Sequence, residues 1–244
     1  MSEKLELEFK KRINSLQSSI ETVTDESYED LTGAVKDLKR FAKARDYVNW
    51  GMAKNKNTQN NLFHDTNVDD VSMFDFSPVT YWTDMFSNCK QLIHIVADAS
   101  NATNMTRTYS NCSNTKIITL NNTSKNKTFN ATFNLCRALE TINGLLDFSS
   151  ATAINDTVFN DCVALKNMTV APNSIGKSIT FYSCRALSPE STQSIFDGLA
   201  IVTTAQTLTL PPNLKILQSQ VDSANEKGWT VAGGTVVSEE EYYG

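Results

Sequence analysis

Met85-Phe86-Ser87-Asn88-Cys89-Lys90-Gln91-Leu92 is the stretch on which the fold turns, because its spacing returns along the chain. Cysteines fall at Cys89, Cys112, Cys136, Cys162 and Cys184, at intervals of 23, 24, 26 and 22 residues. Each has an aromatic three residues before it: Phe86, Tyr109, Phe133, Phe159 and Phe181. Three residues after it stand Leu92, Thr115, Leu139, Leu165 and Leu187, and three further on Ile95, Ile118, Ile142 and Met168. The unit is aromatic-x-x-Cys-x-x-Leu-x-x-Ile. A second register runs with it: Asp75-Phe76-Ser77, Asp98-Ala99-Ser100 and Asp147-Phe148-Ser149 precede Phe86, Tyr109 and Phe159 by 11, 11 and 12 residues. A period of this length predicts stacked units, none of which buries its apolar face alone. With neighbouring strands ~4.8 Å apart, about five such coils make a body roughly 24 Å long.

The cysteines are read as packing residues. No Cys-x-x-Cys pair is present to hold zinc, and five single cysteines pointing the same way argue against disulfides. Reduced, buried thiols acting as small hydrophobes are the expectation. The predicted repeat core is therefore Phe86, Cys89 and Leu92; Tyr109 and Cys112; Phe133, Cys136 and Leu139; Phe159, Cys162 and Leu165; and Phe181, Cys184 and Leu187.

The stretch at residues 85–92 and its counterpart Val158-Phe159-Asn160-Asp161-Cys162-Val163-Ala164-Leu165 resemble the BspA-like leucine-rich repeats of bacterial surface proteins, which also occur in phage fibres. From Leu187-Ser188-Pro189-Glu190-Ser191, through Thr204-Ala205-Gln206-Thr207-Leu208-Thr209-Leu210, to Lys227-Gly228-Trp229-Thr230-Val231, the chain is similar to the closing module that follows such repeats. Together the two likenesses cover about residues 70–235; Thr115 departs from the pattern where Leu is usual. The resemblance implies an adhesive or structural role, without catalysis and without a cofactor.

Near the N-terminus Phe9, Ile13, Leu16, Ile20 and Val23 are spaced as the a/d seam of a short coiled coil. The seam breaks at Thr24-Asp25-Glu26 and resumes as Leu31, Val35, Leu38 and Phe41. Self-association is favoured, and folding back as a hairpin or packing on the first coil stays open from the residues. Trimers are favoured by the likeness to phage fibres. Ala53 to Asn61 is polar and patternless, a linker signature. Ser188-Pro189 predicts a helix start, Thr207 to Leu210 a strand, Leu214, Leu217, Val221 and Ala224 a second helix, and Trp229-Thr230-Val231 a closing strand. The tail Ser238-Glu239-Glu240-Glu241-Tyr242-Tyr243-Gly244 would lack order unless held by neighbours. The expected fold class is an α+β repeat solenoid. Its divisions are a helical, short coiled-coil stem (1–48), a linker (49–68), a leucine-rich-repeat solenoid of about five coils (69–187), an α/β cap (188–237) and an acidic tail (238–244).

Bulk properties narrow the function classes. A net charge of -5 without a basic stripe argues against nucleic acid as a partner. No apolar run approaches the ~20 residues of a membrane span, and Met1-Ser2-Glu3-Lys4-Leu5-Glu6 alternates charge where a signal peptide would be apolar. Synthesis in a bacterial host cytoplasm is the expectation. Asn and Thr crowd residues 101–134, and the nine Asn-x-Ser/Thr sequons read as by-products of that composition. His64 and His94 share no evident partner, so neither predicts a metal or catalytic site. Asp69-Asp70 reads as a solvated acid pair, and no nucleophile-elbow, zincin or phosphate-loop motif occurs.

The sequence thus leads to a non-catalytic structural protein of a phage virion, a head fibre or tail fibre. It would stand at the virion surface as a homo-oligomer, attached to capsid or tail proteins through its N-terminal region. A host-surface protein or glycan is the expected ligand, with the Asn/Thr-rich loops, Tyr81 and Trp82 as the candidate binding surface. A bacterial surface adhesin built on the same repeats is the alternative.

Overall fold

The structure is a computed structural model, and it describes residues 11, 12, 14, 61–72 and 75–243. Apart from residues 11, 12 and 14, the predicted stem lies outside the described residues, and so do its seam residues Phe9, Ile13, Leu16, Ile20 and Val23. Four parallel strands pair in chain order: β1 (His94–Val96), β2 (Ile117–Asn122), β3 (Thr141–Leu146) and β4 (Asn167–Val170). Ile95 aligns with Ile118 and Ile118 with Ile142, so one inward position recurs in each coil while His94 and Val96 beside it face solvent. This is the two-residue alternation of a sheet with one dry face.

On the opposite side each coil makes a tight double turn. Asp84, Phe86 and Asn88 donate their N–H groups to the carbonyls of Thr106, Thr108 and Ser110 at 2.9–3.0 Å, and Arg107, Tyr109 and Asn111 repeat this onto Asn130, Thr132 and Asn134. The residues five and one before each of the first three cysteines adopt positive φ, Asp84 and Asn88, Arg107 and Asn111, Ala131 and Leu135, and before Cys162 only Asp161 does. Asn and Asp accept that conformation at little cost, whereas Arg107, Ala131 and Leu135 each carry about 1 kcal/mol of backbone strain. The interstrand bonds and the core beneath offset it.

A third corner explains the Asp-x-Ser register. Asp75, Asp98 and Asp147 each accept, through Oδ1, the N–H of the serine two residues on, closing an Asx turn that at Asp98 and Asp147 follows the end of β1 and β3. Asn122 does the same for Ser124, so it is the member of the series that the acidic pattern hides. Hydrogen bonds from the Ser100 hydroxyl and N–H and from Asn121 outweigh burial and hold the Asp98 carboxyl below its ordinary range.

The stack extends beyond the five cysteine coils. Phe63 stacks on Phe86 (5.6 Å between centroids, 6° between planes), and Asn61, Phe63 and Asp65 donate backbone bonds to Thr83, Met85 and Ser87. Thr66 occupies the cysteine position, with Oγ1 donating to the Phe63 carbonyl. Residues 61–68 are thus a coil where a linker was expected, and Leu62, Phe63 and Val68 are buried in its interior. Arg12, helical, pairs with Asp69 of this coil.

At the other end the chain keeps stacking with helices inserted. α1 (Pro189–Gly198) starts behind Ser188, whose Oγ accepts the Ser191 N–H. α2 (Gln218–Glu226) follows later. Before, between and after them β5 (Ile179–Thr180), β6 (Gln206–Thr209) and β8 (Trp229–Ala232) form one parallel sheet, and β7 (Lys215–Ile216) and β9 (Thr235–Val236) another. Gly233 needs its positive φ of 84° and has no room for a side chain, since a Cβ would stand 2.2 Å from the Leu210 carbonyl oxygen. The acidic tail is not loose. It forms α3 (Glu239–Tyr243), with Tyr242 only 4% exposed, its hydroxyl donating to the Pro189 carbonyl (2.8 Å) and accepting from Gln220 Nε2 (3.0 Å). The docking partner expected from an assembly is supplied within the chain.

Candidate functional site

Every residue of the predicted repeat core lies in the interior. Rings of successive coils stack in one column, Phe86 on Tyr109, Tyr109 on Phe133 and Phe133 on Phe159, at 5.3–5.7 Å and within 9° of parallel. The column ends on Phe181, 4.8 Å from Phe159 but turned by 25°. All five cysteines are buried, and none is joined to another in a disulfide among the described residues. Their role is more specific than filling space. Cys89, Cys112, Cys136 and Cys162 direct Sγ at the carbonyl oxygen of the aromatic one coil earlier, Phe63, Phe86, Tyr109 and Phe133, at 2.9–3.0 Å. The carbonyls of Phe86, Tyr109 and Phe133 each also accept an N–H within their own turn, so the thiol satisfies the second lone pair, whereas Phe63 takes the Thr66 hydroxyl as well. Cys184 reaches Phe159 at 3.8 Å, where the ring column turns. Burial pushes the thiols of Cys112, Cys136, Cys162 and Cys184 above their ordinary value, which keeps them neutral donors and removes them as nucleophiles. Thr115, in the leucine column, is accommodated because its Oγ1 donates to the Leu92 carbonyl.

Tyr81 and Trp82 part company. Trp82 is fully buried, its Nε1 donating to the Val79 carbonyl at 3.0 Å, and so is withdrawn as a surface residue. The cause is alternation: Trp82 stands seven residues before Cys89, in an inward column continued by Met105 and Phe129, both 0% exposed. Tyr81, one residue earlier, belongs to the outward column. It bridges to Asn104, as Thr128 does to Ala153.

This outward column forms the wall of a cleft of about 430 Å³, lined by Thr80, Tyr81, Thr103, Asn104, Lys127, Thr128 and Thr152. It offers one aromatic ring, an amide, a row of hydroxyls and an ammonium group on a backbone held by cross-coil bonds such as Thr103 N to Thr80 O (2.8 Å) and Lys127 N to Thr103 O (3.1 Å). Thr103 and Thr152 turn their hydroxyls onto carbonyls of the coil before, at 3.0 and 3.1 Å, so both are fixed in place. Such an array can stack on an apolar face and exchange hydrogen bonds with a polar ligand. Tyr81 was named singly from the sequence, and Thr103, Asn104, Lys127 and Thr128 fall within the Asn/Thr-rich stretch put forward with it. Apart from Thr152, ten residues ahead of Cys162, the lining residues stand eight or nine residues ahead of a cysteine, and that spacing was the signal that could have found them.

The histidines do not converge. His94 is exposed on β1, and His64 lies in the first coil with Nε2 3.0 Å from Asp65. Among the described residues no helix is long and apolar enough to cross a membrane. No protein-family model matches the chain, and no curated protein or solved structure matches it either.

Proposed function

We propose that this chain is a non-catalytic structural protein of a bacteriophage virion, a head fibre, tail fibre or related appendage. In it the N-terminal region anchors the protein to capsid or tail, and a leucine-rich-repeat solenoid is displayed for attachment to a host-surface glycan or protein. The observation that carries the reading is the division of labour in each coil. Thiols and rings are consumed inside as packing and hydrogen-bond donors, while the outward column next to them builds the Tyr81 cleft on a rigid backbone. The resemblance of the repeats at residues 85–92 and 158–165 to those of bacterial surface proteins and phage fibres supports the same reading.

The test is sedimentation of the full chain together with immuno-electron microscopy of phage particles. A trimer that labels as a projection from head or tail is the expected result. A chain that stays monomeric at high concentration and never labels intact particles overturns the proposal.

A further inference from the structure

A second cleft lies where the coil pattern changes. It measures about 360 Å³ and is lined by Asp156, Phe159, Asn160, Thr180, Tyr182, Ser183 and Thr209. Two departures from the repeat create it. Phe133 follows Thr128 by five residues, whereas Phe159 follows Ala153 by six, although Thr128 bridges Ala153 and the two rings stack. The additional residue falls in Asn155-Asp156-Thr157, all exposed. Above it β5 and β6 begin a new sheet, and the Phe159–Phe181 pair rotates out of parallel.

Tyr182 is the second departure. It stands two residues before Cys184, a position filled elsewhere by Ser87, Ser110, Asn134 and Asn160. Those small polar side chains show that the coil needs no ring there. The Tyr182 ring does not pack in the core, and the residue stays 52% exposed. Asn160 donates Nδ2 to Asn134 Oδ1 (3.0 Å), which fixes the amide and leaves its Oδ1 without a bond from the described residues. Thr180 is fixed in turn, its Oγ1 accepting the Tyr182 N–H at 3.2 Å.

We infer that this cleft is a binding site for one neutral pyranose residue of a saccharide. An aromatic ring with an open face packs on the apolar C–H face of a sugar ring. A carboxylate accepts two hydroxyl protons at once through charge-assisted bonds, and an amide and hydroxyls supply the mixed donors and acceptors that sugar hydroxyls require. Asp156 is the only group among the lining residues that is charged at neutral pH, so a uronic or sialic acid meets like-charge repulsion with no lining cation to offset it. The Tyr81 cleft, which holds Lys127, differs in this respect. The inference deepens the attachment reading and rests on it for its biological sense, but the site can be tested by itself.

The test is amide NMR titration of the full chain with methyl α-D-glucopyranoside and methyl β-D-galactopyranoside, and with glucuronic acid as the charged control. At least one neutral sugar is expected to move the amides of Asn160, Tyr182 and Ser183. Tyr182→Ala, a change at a half-exposed position, weakens that response about tenfold or more, equivalent to roughly 1.4 kcal/mol; Tyr182→Phe retains most of it. Glucuronic acid leaves these amides in place, and Asp156→Asn removes that discrimination. Absence of any response to the neutral sugars, or a response untouched in Tyr182→Ala, overturns the inference. If that happens while the whole protein still labels virions, the attachment reading stands and the site assignment alone falls; sugar binding by a protein absent from particles gives the reverse.

Discussion

Tyr109 differs from the other rings of its column by one oxygen, and that oxygen has no partner. The residue is 0% exposed between Phe86 and Phe133, and its hydroxyl makes no hydrogen bond among the described residues. Burying an unpaired hydroxyl costs about 1–3 kcal/mol, and Phe fills the same ring volume. Tyr109→Phe should therefore raise stability by about 1 kcal/mol, read as a higher urea midpoint with an unchanged slope. A lower midpoint would mean that the hydroxyl is satisfied in solution. Single residues also mark where the sequence was opaque. Phe63 lies 23 residues before Phe86, but with Thr66 in place of cysteine the motif could not be seen. Threonine works there because its hydroxyl donates to the Phe63 carbonyl, locally doing what a thiol does from the next coil. Trp82 was misplaced because its column, shared with Met105 and Phe129, is defined by burial and carries no common residue type.

Strand β4 poses the problem of every sheet edge, since its outer N–H groups have no further strand to bond. Helix α1 answers it with side chains: the Met168 N–H donates to Ser191 Oγ (2.9 Å) and the Val170 N–H to Ser194 Oγ (2.7 Å). Two serines three apart lie on one face of a helix, so α1 lays a pair of acceptors along the edge and stops the sheet. Ser194→Ala strands the Val170 N–H beneath the helix. A loss of about 1–2 kcal/mol is expected, with faster hydrogen exchange at Val170 and little change at Ile118 in the sheet interior. An unchanged exchange rate at Val170 would assign that N–H another partner. The helix start was legible, because Ser188 and Pro189 carry their own cap chemistry. That a cap closes the stack was legible too, but the serine bonds that seal the β4 edge were not, because they depend on where the helix lands. The same distinction separates Asn155-Asp156-Thr157, whose single added residue is visible only once Thr128 is seen to bridge Ala153.

Taken across all its coils, the molecule has one continuous interior, from Leu62 and Phe63 to Trp229, in which thiols are the recurring polar groups. The parallel strands and their alignment at Ile95, Ile118 and Ile142 follow from the cysteine spacing, while the register shifts later in β2 and β3 do not. The extent of the stack does not, since its first coil substitutes threonine and its last coils insert helices between short strands. A shared interior gives the thiols a collective consequence. Cys112, Cys136, Cys162 and Cys184 all have folded-state pKa values raised above the ordinary 9.0 by burial, with neighbouring thiols adding to the shift at the first three. In the unfolded chain they ionise near that ordinary value, so above it the folded state binds more protons than the unfolded one. Stability is then fully present below about pH 9 and declines as pH rises toward the folded values, with a limiting slope of about 1.4 kcal/mol per pH unit for each thiol. Four thiols acting together would exhaust a stability of ~5–15 kcal/mol within one to three pH units. Circular dichroism against pH should show one cooperative transition beginning a little above pH 9, and Cys136→Ala should reduce the slope of stability against pH by about a quarter. At pH 8 a thiol reagent should label none of the five cysteines in the native protein and all of them in denaturant. Labelling of any cysteine under native conditions, or stability that stays flat to pH 11, would show that the thiols are not held neutral in a common interior.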